Sequence, residues 1–307
     1  MGTEEKVFRT GLEAKKGRFA VSPDGRQLVF ETDRIDHGLR LLNLSNGDIR
    51  ILSFEAGRTL GFPDWSPDGR QVAVVSAPVR DNRYVIDDMQ IVLLDATTWR
   101  PRVIASGEGV KFFPFFSADG KTVYYFKGKK RESGATPASQ YDLFAIDLAS
   151  GQETRLTNEK FYQAAKGDEQ AGTILFNAYG WERHPSKYFD KAFKREQEQT
   201  GLYLYEKSSG IINPLQIDQG GGIFNFHEPQ RDRAGNVYFI TSTLPPRSSR
   251  FKFWLGRATP DGMNPVILTE LPISMKFDIA RNTGEIYVMD KQGEEIIIRR
   301  LPVLAVH

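Results

Sequence analysis

"PDWSPDGRQVAVVSA", at residues 63–77, combines a tryptophan, a four-residue turn signal and an apolar run. A close copy, "FAVSPDGRQLVFETD", stands at residues 19–33. In "SPDG", proline fixes φ at the first central turn position, aspartate tolerates the second, and glycine takes the left-handed conformation that closes a hairpin. The apolar run that follows is continuous, which is typical of a strand buried on both faces. The turn therefore accounts for Asp24, Asp68 and Asp119, which we interpret as structural residues rather than ligands.

The hairpin signal recurs along the whole chain. Six turn glycines precede β-prone runs, at intervals of 44 to 63 residues: Gly25, Gly69, Gly120, Gly172, Gly235 and Gly284. An alternating strand follows each run, and a third, shorter strand follows in most units. Units of about four strands at periods near 40–50 residues are typical of propeller blades. We therefore predict an all-β, six-bladed propeller of four-stranded antiparallel blades, with residues 1–307 as a single domain.

The first three units resemble a known repeat family. "WSPDGRQVAVVSA…QIVLLD" and "FSADGKTVYYF…DLFAIDLASGQETRLT" are similar to the repeat of TolB-like six-bladed β-propellers, within the WD-repeat-like propeller superfamily. Members of this family mostly bind other macromolecules through the propeller, and the family has no catalytic motif. The resemblance implies a binding or scaffold protein that needs no cofactor.

Composition narrows the class of protein further. The formal net charge of +2 gives no global attraction to nucleic acid, and no apolar run approaches the roughly 20 residues of a bilayer span. The chain has no cysteine, which excludes disulfides, thiolate zinc sites and cysteine nucleophiles. This absence fits a mature exported protein whose signal has been removed; a cytosolic protein that lacks cysteine is the alternative. We expect a periplasmic or other extracytoplasmic monomer that holds no metal.

Two local elements can be placed on this architecture. The segment "KVFRTGLEA", residues 6–14, precedes the first inner strand and is predicted to supply the outer strand of the last blade, which would otherwise expose an edge. The insertion of unit 4, residues 181–200, is predicted to be helical in its second half. Ser186 offers a cap, and Tyr188 and Phe189 have aliphatic or aromatic partners four residues later. That helix is either a lid or a partner-binding element.

Long connections favour one face of the propeller as the binding surface. They follow the second strand in units 2 to 5, at 78–88, 127–140, 181–200 and 242–250, and they carry most of the clustered basic residues. Insertions confined to one face are typical of a binding surface. We predict that this face binds a protein or an anionic polysaccharide. Its candidate residues are Arg80, Arg83, Lys129, Lys130, Arg131, Trp181, His184, Tyr188, His227, Glu228, Arg247 and Arg250.

Catalysis is the alternative hypothesis. The histidines are His37, His184, His227 and His307, and of these only His227 falls on a predicted inner strand, next to Glu228. A lactonase- or lyase-like enzyme would place a cation-assisted site at the channel mouth around these two residues, with Asn225 and Asp64 as further candidates. No "GxSxG" nucleophile elbow occurs in the sequence. We assign no catalytic residue and favour the binding protein.

Overall fold

The computed structural model describes residues 6–13, 17–32, 38–52, 55–81, 83–130, 138–179, 187–190, 195–198, 200–217, 225–243, 252–271 and 276–301. Its strands form six antiparallel sheets with one four-stranded path each, arranged as a six-bladed propeller. The predicted fold class is therefore confirmed. No helix of the described residues is both long and apolar enough to span a bilayer.

Each blade contributes four strands, counted outward from the central channel. The inner strands are β2 (Phe19–Val21), β6 (Arg58–Trp65), β11 (Val110–Phe116), β15 (Gln163–Gln170), β21 (Asn225–Arg231) and β25 (Lys276–Ile279). The second strands are β3 (Gln27–Glu31), β7 (Gln71–Arg80), β12 (Thr122–Lys130), β16 (Thr173–Tyr179), β22 (Val237–Thr243) and β26 (Ile286–Gln292). Each inner strand contacts the inner strand of the next blade, and β25 contacts β2, so the ring is closed.

The remaining strands complete the blades. The third strands are β4 (Leu39–Asn43), β9 (Gln90–Asp95), β13 (Ala138–Asp147), β19 (Gly201–Glu206), β23 (Lys252–Ala258) and β27 (Glu295–Arg300). The outer strands are β5 (Ile49–Leu52), β10 (Pro101–Ala105), β14 (Glu153–Arg155), β20 (Ile212–Leu215), β24 (Val266–Leu271) and β1 (Lys6–Glu13). Outside this plan lie β8 (Arg83–Tyr84), β17 (Lys187–Asp190), β18 (Arg195–Glu198) and a 3-10 turn at Ile86–Asp88.

The N-terminal strand closes the last blade, as the sequence predicted. β1 pairs antiparallel with β27, placing Lys6 opposite Arg300 and Phe8 opposite Ile298. The hydroxyl of Thr10 donates to the carbonyl oxygen of Ile296 at 2.8 Å. β27 therefore has a neighbour on both sides.

The "SPDG" turns work as the sequence indicates. The Ser22 hydroxyl donates to Asp24 Oδ1 at 2.6 Å and accepts from the Gln27 amide at 2.9 Å, and Gly25 has φ of 70°. The turns at Ser66 and Ser117 repeat these bonds. The continuous runs that follow the turns are buried on both faces. The structural interpretation of the turn aspartates agrees with these contacts.

The predicted helix in unit 4 is wrong. Residues 187–190 and 195–198 form the two-stranded hairpin β17–β18 instead. Its register pairs Lys187 with Glu198 and Asp190 with Arg195, residues of opposite charge. The four-residue spacing of the apolar residues that predicted a helix is also compatible with a short strand pair, because so short a segment fits more than one period.

Candidate functional site

The long connections and the starts of the inner strands lie at the same end of the propeller. Within a blade the strands alternate in direction, so the turn from inner to second strand lies at one end and the connection from second to third strand lies at the other. Inner strands begin at this second end. We call it the insertion-bearing face, and the central channel opens onto it.

Six side chains, one from each blade, surround this channel mouth. They line a recess of about 410 Å³, open solvent included, and are Arg18, Phe62, Phe113, Lys166, Glu228 and Lys276. Four of them have left-handed backbones, with φ of 55°, 54°, 38° and 51° for Phe62, Phe113, Lys166 and Glu228. Each of these four lies at a register shift of its inner strand. Because such a backbone costs a residue with a Cβ roughly 1–2 kcal/mol, this repeated strain marks the mouth as a candidate functional site.

Arg18 is the central cation of the mouth. Its guanidinium lies over the rings of Phe113, 4.3 Å from the centroid, and Phe62, 5.0 Å from the centroid. The two rings meet edge to face at 4.9 Å. A cation held against two aromatic faces is oriented as well as attracted, so it can present its free N–H groups to a ligand.

Glu228 joins Arg18 to the last blade. Its carboxylate accepts from Arg18 at 2.9 Å and from the Lys276 ammonium at 2.8 Å. Burial alone would raise the pKa of Glu228, but Arg18 and Lys276 outweigh it and hold the pKa well below its ordinary value. Burial, followed by repulsion from Arg18, lowers the pKa of Lys276. At neutral pH the mouth therefore carries an ionised carboxylate between two cations.

Glu31 holds the backbone of the channel mouth in place through two hydrogen bonds. Its carboxylate accepts hydrogen bonds from the amides of Phe62 and Arg18, in neighbouring blades. Burial raises the pKa of Glu31, against the opposing effect of the Phe62 amide. This contact helps to hold Phe62 in its left-handed conformation.

His227 lies beside the cluster without joining it. Burial lowers the pKa of His227 to about 4; Lys276 adds to the shift and Glu228 opposes it. The imidazole is therefore neutral at physiological pH and becomes protonated only in acid.

Deeper in the channel, polar side chains join adjacent blades. Asp64 accepts from the amide of Phe116 at 3.0 Å, and Asp278 accepts from that of Val21 at 2.7 Å. Gln230 and Asp168 make equivalent bonds to Ile279 and Arg231. Since each acceptor serves the backbone of the next blade, we interpret these residues as structural.

Asp64 is a deep carboxyl group with a perturbed titration. Burial raises the pKa of Asp64 to about 6, against the opposing effects of Arg281 and Lys166. A carboxyl group with this pKa changes charge close to physiological pH.

The structure describes part of the predicted binding face. Arg80, Lys129 and Lys130 are exposed at the ends of second strands, and His227 and Glu228 lie at the channel mouth. The backbones of Arg83 and Tyr188 lie on β8 and β17, and their side chains are outside the described residues. The other predicted residues are also outside them: Arg131, Trp181, His184, Arg247 and Arg250.

Sequence reasoning missed the partners of Glu228. Arg18, Phe62 and Phe113 stand seven residues before their turn glycines, as Glu228 does, while Lys166 and Lys276 stand six and eight residues before theirs. Aligning the six units on their turn glycines would have placed these six residues at the same or an adjacent position of each unit.

The described residues do not offer a metal site. They contain no group of three or more His, Asp or Glu side chains that could hold an ion. Asp64 and Glu228 line the same recess, but Asp64 accepts from the Phe116 amide and Asn225 accepts from the Thr200 amide. His227 is the one histidine of the four within the described part of the chain.

The fold has clear counterparts among solved structures. TolB from Acinetobacter baumannii superimposes with a TM-score of 0.61 at 15% identity, covering 92% of this chain and 63% of that chain. A TolB-type protein from Agrobacterium tumefaciens gives 0.62 at 17% identity, covering 97% and 98%. An oligogalacturonate lyase in complex with manganese gives 0.58 at 12% identity, covering 97% and 91%.

These likenesses define the class of fold. The protein is a six-bladed β-propeller, and its architecture is that of the TolB-like propellers. The chain spans 63% of the length of the Acinetobacter protein. The sequence matches no protein-family model and no curated protein.

Proposed function

We propose that this chain is a non-enzymatic, TolB-like binding or scaffold protein. It binds a protein or an anionic envelope polymer through the insertion-bearing face, with the channel mouth as its anchor. The observation that carries the proposal is Arg18, held over Phe62 and Phe113 where the channel opens onto the face with the long connections. Repeated backbone strain at the same positions supports it, because strained residues concentrate at functional sites.

The experiment compares retention of envelope proteins and polymers by immobilised variants. Arg18→Gln removes the cation at the mouth, and Arg18→Lys keeps the charge without the planar guanidinium. Arg26→Gln is the matched control, since Arg26 is exposed beside Asp24 at the opposite end of the propeller. We expect Arg18→Gln alone to lose the retained partner and Arg18→Lys to keep part of it. Equal retention by all three variants would refute the proposal.

A propeller enzyme is the second candidate. It is favoured by the likeness to a lyase fold and by a neutral His227 beside a Lys276 of lowered pKa at the channel mouth. A melting-temperature screen with divalent cations separates the two functions, since an ion that binds the native state raises the midpoint. A rise that Glu228→Ala abolishes would favour the enzyme.

Location and assembly follow from the binding role. An extracytoplasmic, periplasmic monomer, with residues 1–307 as one domain, is part of the proposal. Cell fractionation and light scattering on the purified chain test these points.

A further inference from the structure

A second concave surface lies on blade 3, away from the channel mouth. It encloses about 1210 Å³, open solvent included, beside the insertion-bearing end of β12 and β13. We call it the basic groove and define it by Lys127, Lys129, Lys130, Arg155, Phe144 and Ile86. Four of these six residues are cationic, and Phe144 and Ile86 add half-buried apolar surface.

The lining of the groove also holds two carboxylates, those of Glu108 and Asp142. Asp142 accepts from Arg155 at 2.5 Å and from the hydroxyl of Thr157 at 2.9 Å. Glu153, at the edge of the groove, accepts from the hydroxyl of Tyr125 and from Lys127 at 3.2 Å. The lining still has an excess of positive charge, because four cationic side chains face the two carboxylates. Lys129 is exposed and forms no ion pair with a carboxylate of the described residues.

A buried lysine adds to that charge from behind the groove wall. Lys111 is fully buried, and its ammonium donates to the carbonyl oxygens of Gly107, Glu108 and Gly109 at 2.7, 3.3 and 3.1 Å. No carboxylate in the described ranges forms an ion pair with it. Glu108 and Gly109 also line the groove, so the loop that encloses this ammonium forms part of the wall. Burial lowers the pKa of Lys111 to about 8; Lys127 adds to the shift, and Glu153 and Asp88 oppose it, so most of the ammonium stays protonated at neutral pH.

The spacing of the cations indicates the shape of the ligand. Lys127 and Lys129 alternate on β12, and the irregularity beside them falls on β13, where Gln140 has φ of 55°. Alternate residues of a strand lie about 7 Å apart, which is also the repeat of alternate side chains in an extended peptide. Lys127 in addition lies over the Phe144 ring, 5.0 Å from its centroid, which fixes its position.

We propose that the basic groove binds an extended acidic polypeptide segment whose alternate carboxylates meet Lys127 and Lys129. The groove is distinct from the channel mouth. The inference rests on the proposed function, because Lys129 and Lys130 belong to the predicted binding face, and it names the class of partner that this part of the face takes. The apolar surface of Phe144 and Ile86 lines the same groove and takes the intervening side chains of such a peptide.

Poly-L-glutamate is the probe for this site, with polygalacturonate as a polyanion of another class. Binding of each to the full chain is measured at two ionic strengths. Lys127→Ala combined with Lys129→Ala is compared with Lys121→Ala combined with Lys252→Ala, which removes the same charge from exposed positions elsewhere. We expect the groove variant to weaken poly-L-glutamate binding about tenfold and the control by less than about twofold.

Two further variants test the proposal even if the double variant does not fold. If the double variant unfolds, Lys129→Glu alone reverses one exposed charge and must still weaken binding. Arg26→Gln, which removes an exposed charge at the opposite end of the propeller, should leave poly-L-glutamate binding unchanged. Equal losses in the groove variant and its control, or binding of polygalacturonate in place of poly-L-glutamate, would overturn the proposal.

Discussion

The indole nitrogen of Trp65 donates to the carbonyl oxygen of Ala20 at 3.0 Å, which joins the inner strands of the second and first blades. Both residues are buried, with Trp65 only 4% exposed. The tryptophan of the "DWSPDG" stretch therefore holds neighbouring blades together.

Trp65→Phe should destabilise the protein by about 1–2 kcal/mol, because it leaves a buried carbonyl without its donor. Trp99→Phe is the control: Trp99 packs edge to face on Trp65 at 6.1 Å, and its indole nitrogen donates no hydrogen bond among the described contacts. Denaturant unfolding of both variants measures the difference. An equal loss in Trp99→Phe would show that ring volume, rather than the hydrogen bond, matters.

The closing strand offers a second comparison, between adjacent residues on opposite faces. Phe8 is buried and Val7 is 45% exposed. Phe8→Ala should cost about 3–5 kcal/mol of unfolding free energy, whereas Val7→Ala should cost less than about 1 kcal/mol. Thermal and denaturant midpoints of both variants test whether β1 is part of the cooperative unit. A Phe8→Ala variant as stable as the parent would contradict this.

The raised pKa of Asp64 predicts a contribution to folding stability that is lost as the pH rises. Its folded pKa of about 6 lies above the ordinary value of 3.8, so the folded state holds the proton more tightly between these values. Asp64→Asn keeps an acceptor for the Phe116 amide but removes the titration. Relative to the parent, it should gain up to about 3 kcal/mol in unfolding free energy from pH 4 to 7, at about 1.4 kcal/mol per pKa unit.

The control for Asp64 is Asp119, whose pKa shift has the opposite sign. The hydroxyl of Ser117 lowers the pKa of Asp119 in its exposed turn. Asp119→Asn should therefore lose stability relative to the parent as the pH rises toward 3.8, and it should change little between pH 4 and 7. Parallel curves for the two variants would rule out a special role of burial at Asp64.

The lowered pKa of Glu228 predicts a contribution to folding stability that is lost in acid. Its folded pKa lies below the ordinary value of 4.5, so its stabilisation is present above that value and disappears as the pH falls. Glu228→Gln leaves Arg18 and Lys276 without their carboxylate and should cost about 3 kcal/mol at neutral pH. The difference from the parent should shrink below pH 4.5. Unfolding midpoints across the acid range measure it, and a constant difference would contradict the ionic origin.

The architecture was predictable because its signals are local. Turn chemistry at Gly25 and its equivalents, followed by continuous apolar runs, specifies hairpins without reference to distant residues. The closing strand followed from the same logic, since an open ring would leave the edge of β27 exposed.

The channel mouth was harder to predict because it is assembled from one residue per blade. Arg18 and Glu228 are 210 positions apart and meet only through the curvature of the ring. Nothing near Arg18 in the sequence marks it as a site residue. The β17–β18 hairpin was missed for another reason, because a short segment with apolar residues at mixed spacing fits more than one period.

Because β1 pairs with β27, the ring can close only late in synthesis. The hydroxyl of Thr10 bonds a carbonyl 286 positions later in the chain. At about 5–20 residues per second, the first strand emerges roughly 15–60 s before its partner exists. During this interval β1 stays an unpaired segment with apolar residues, and the propeller becomes a ring only after β27 has left the ribosome.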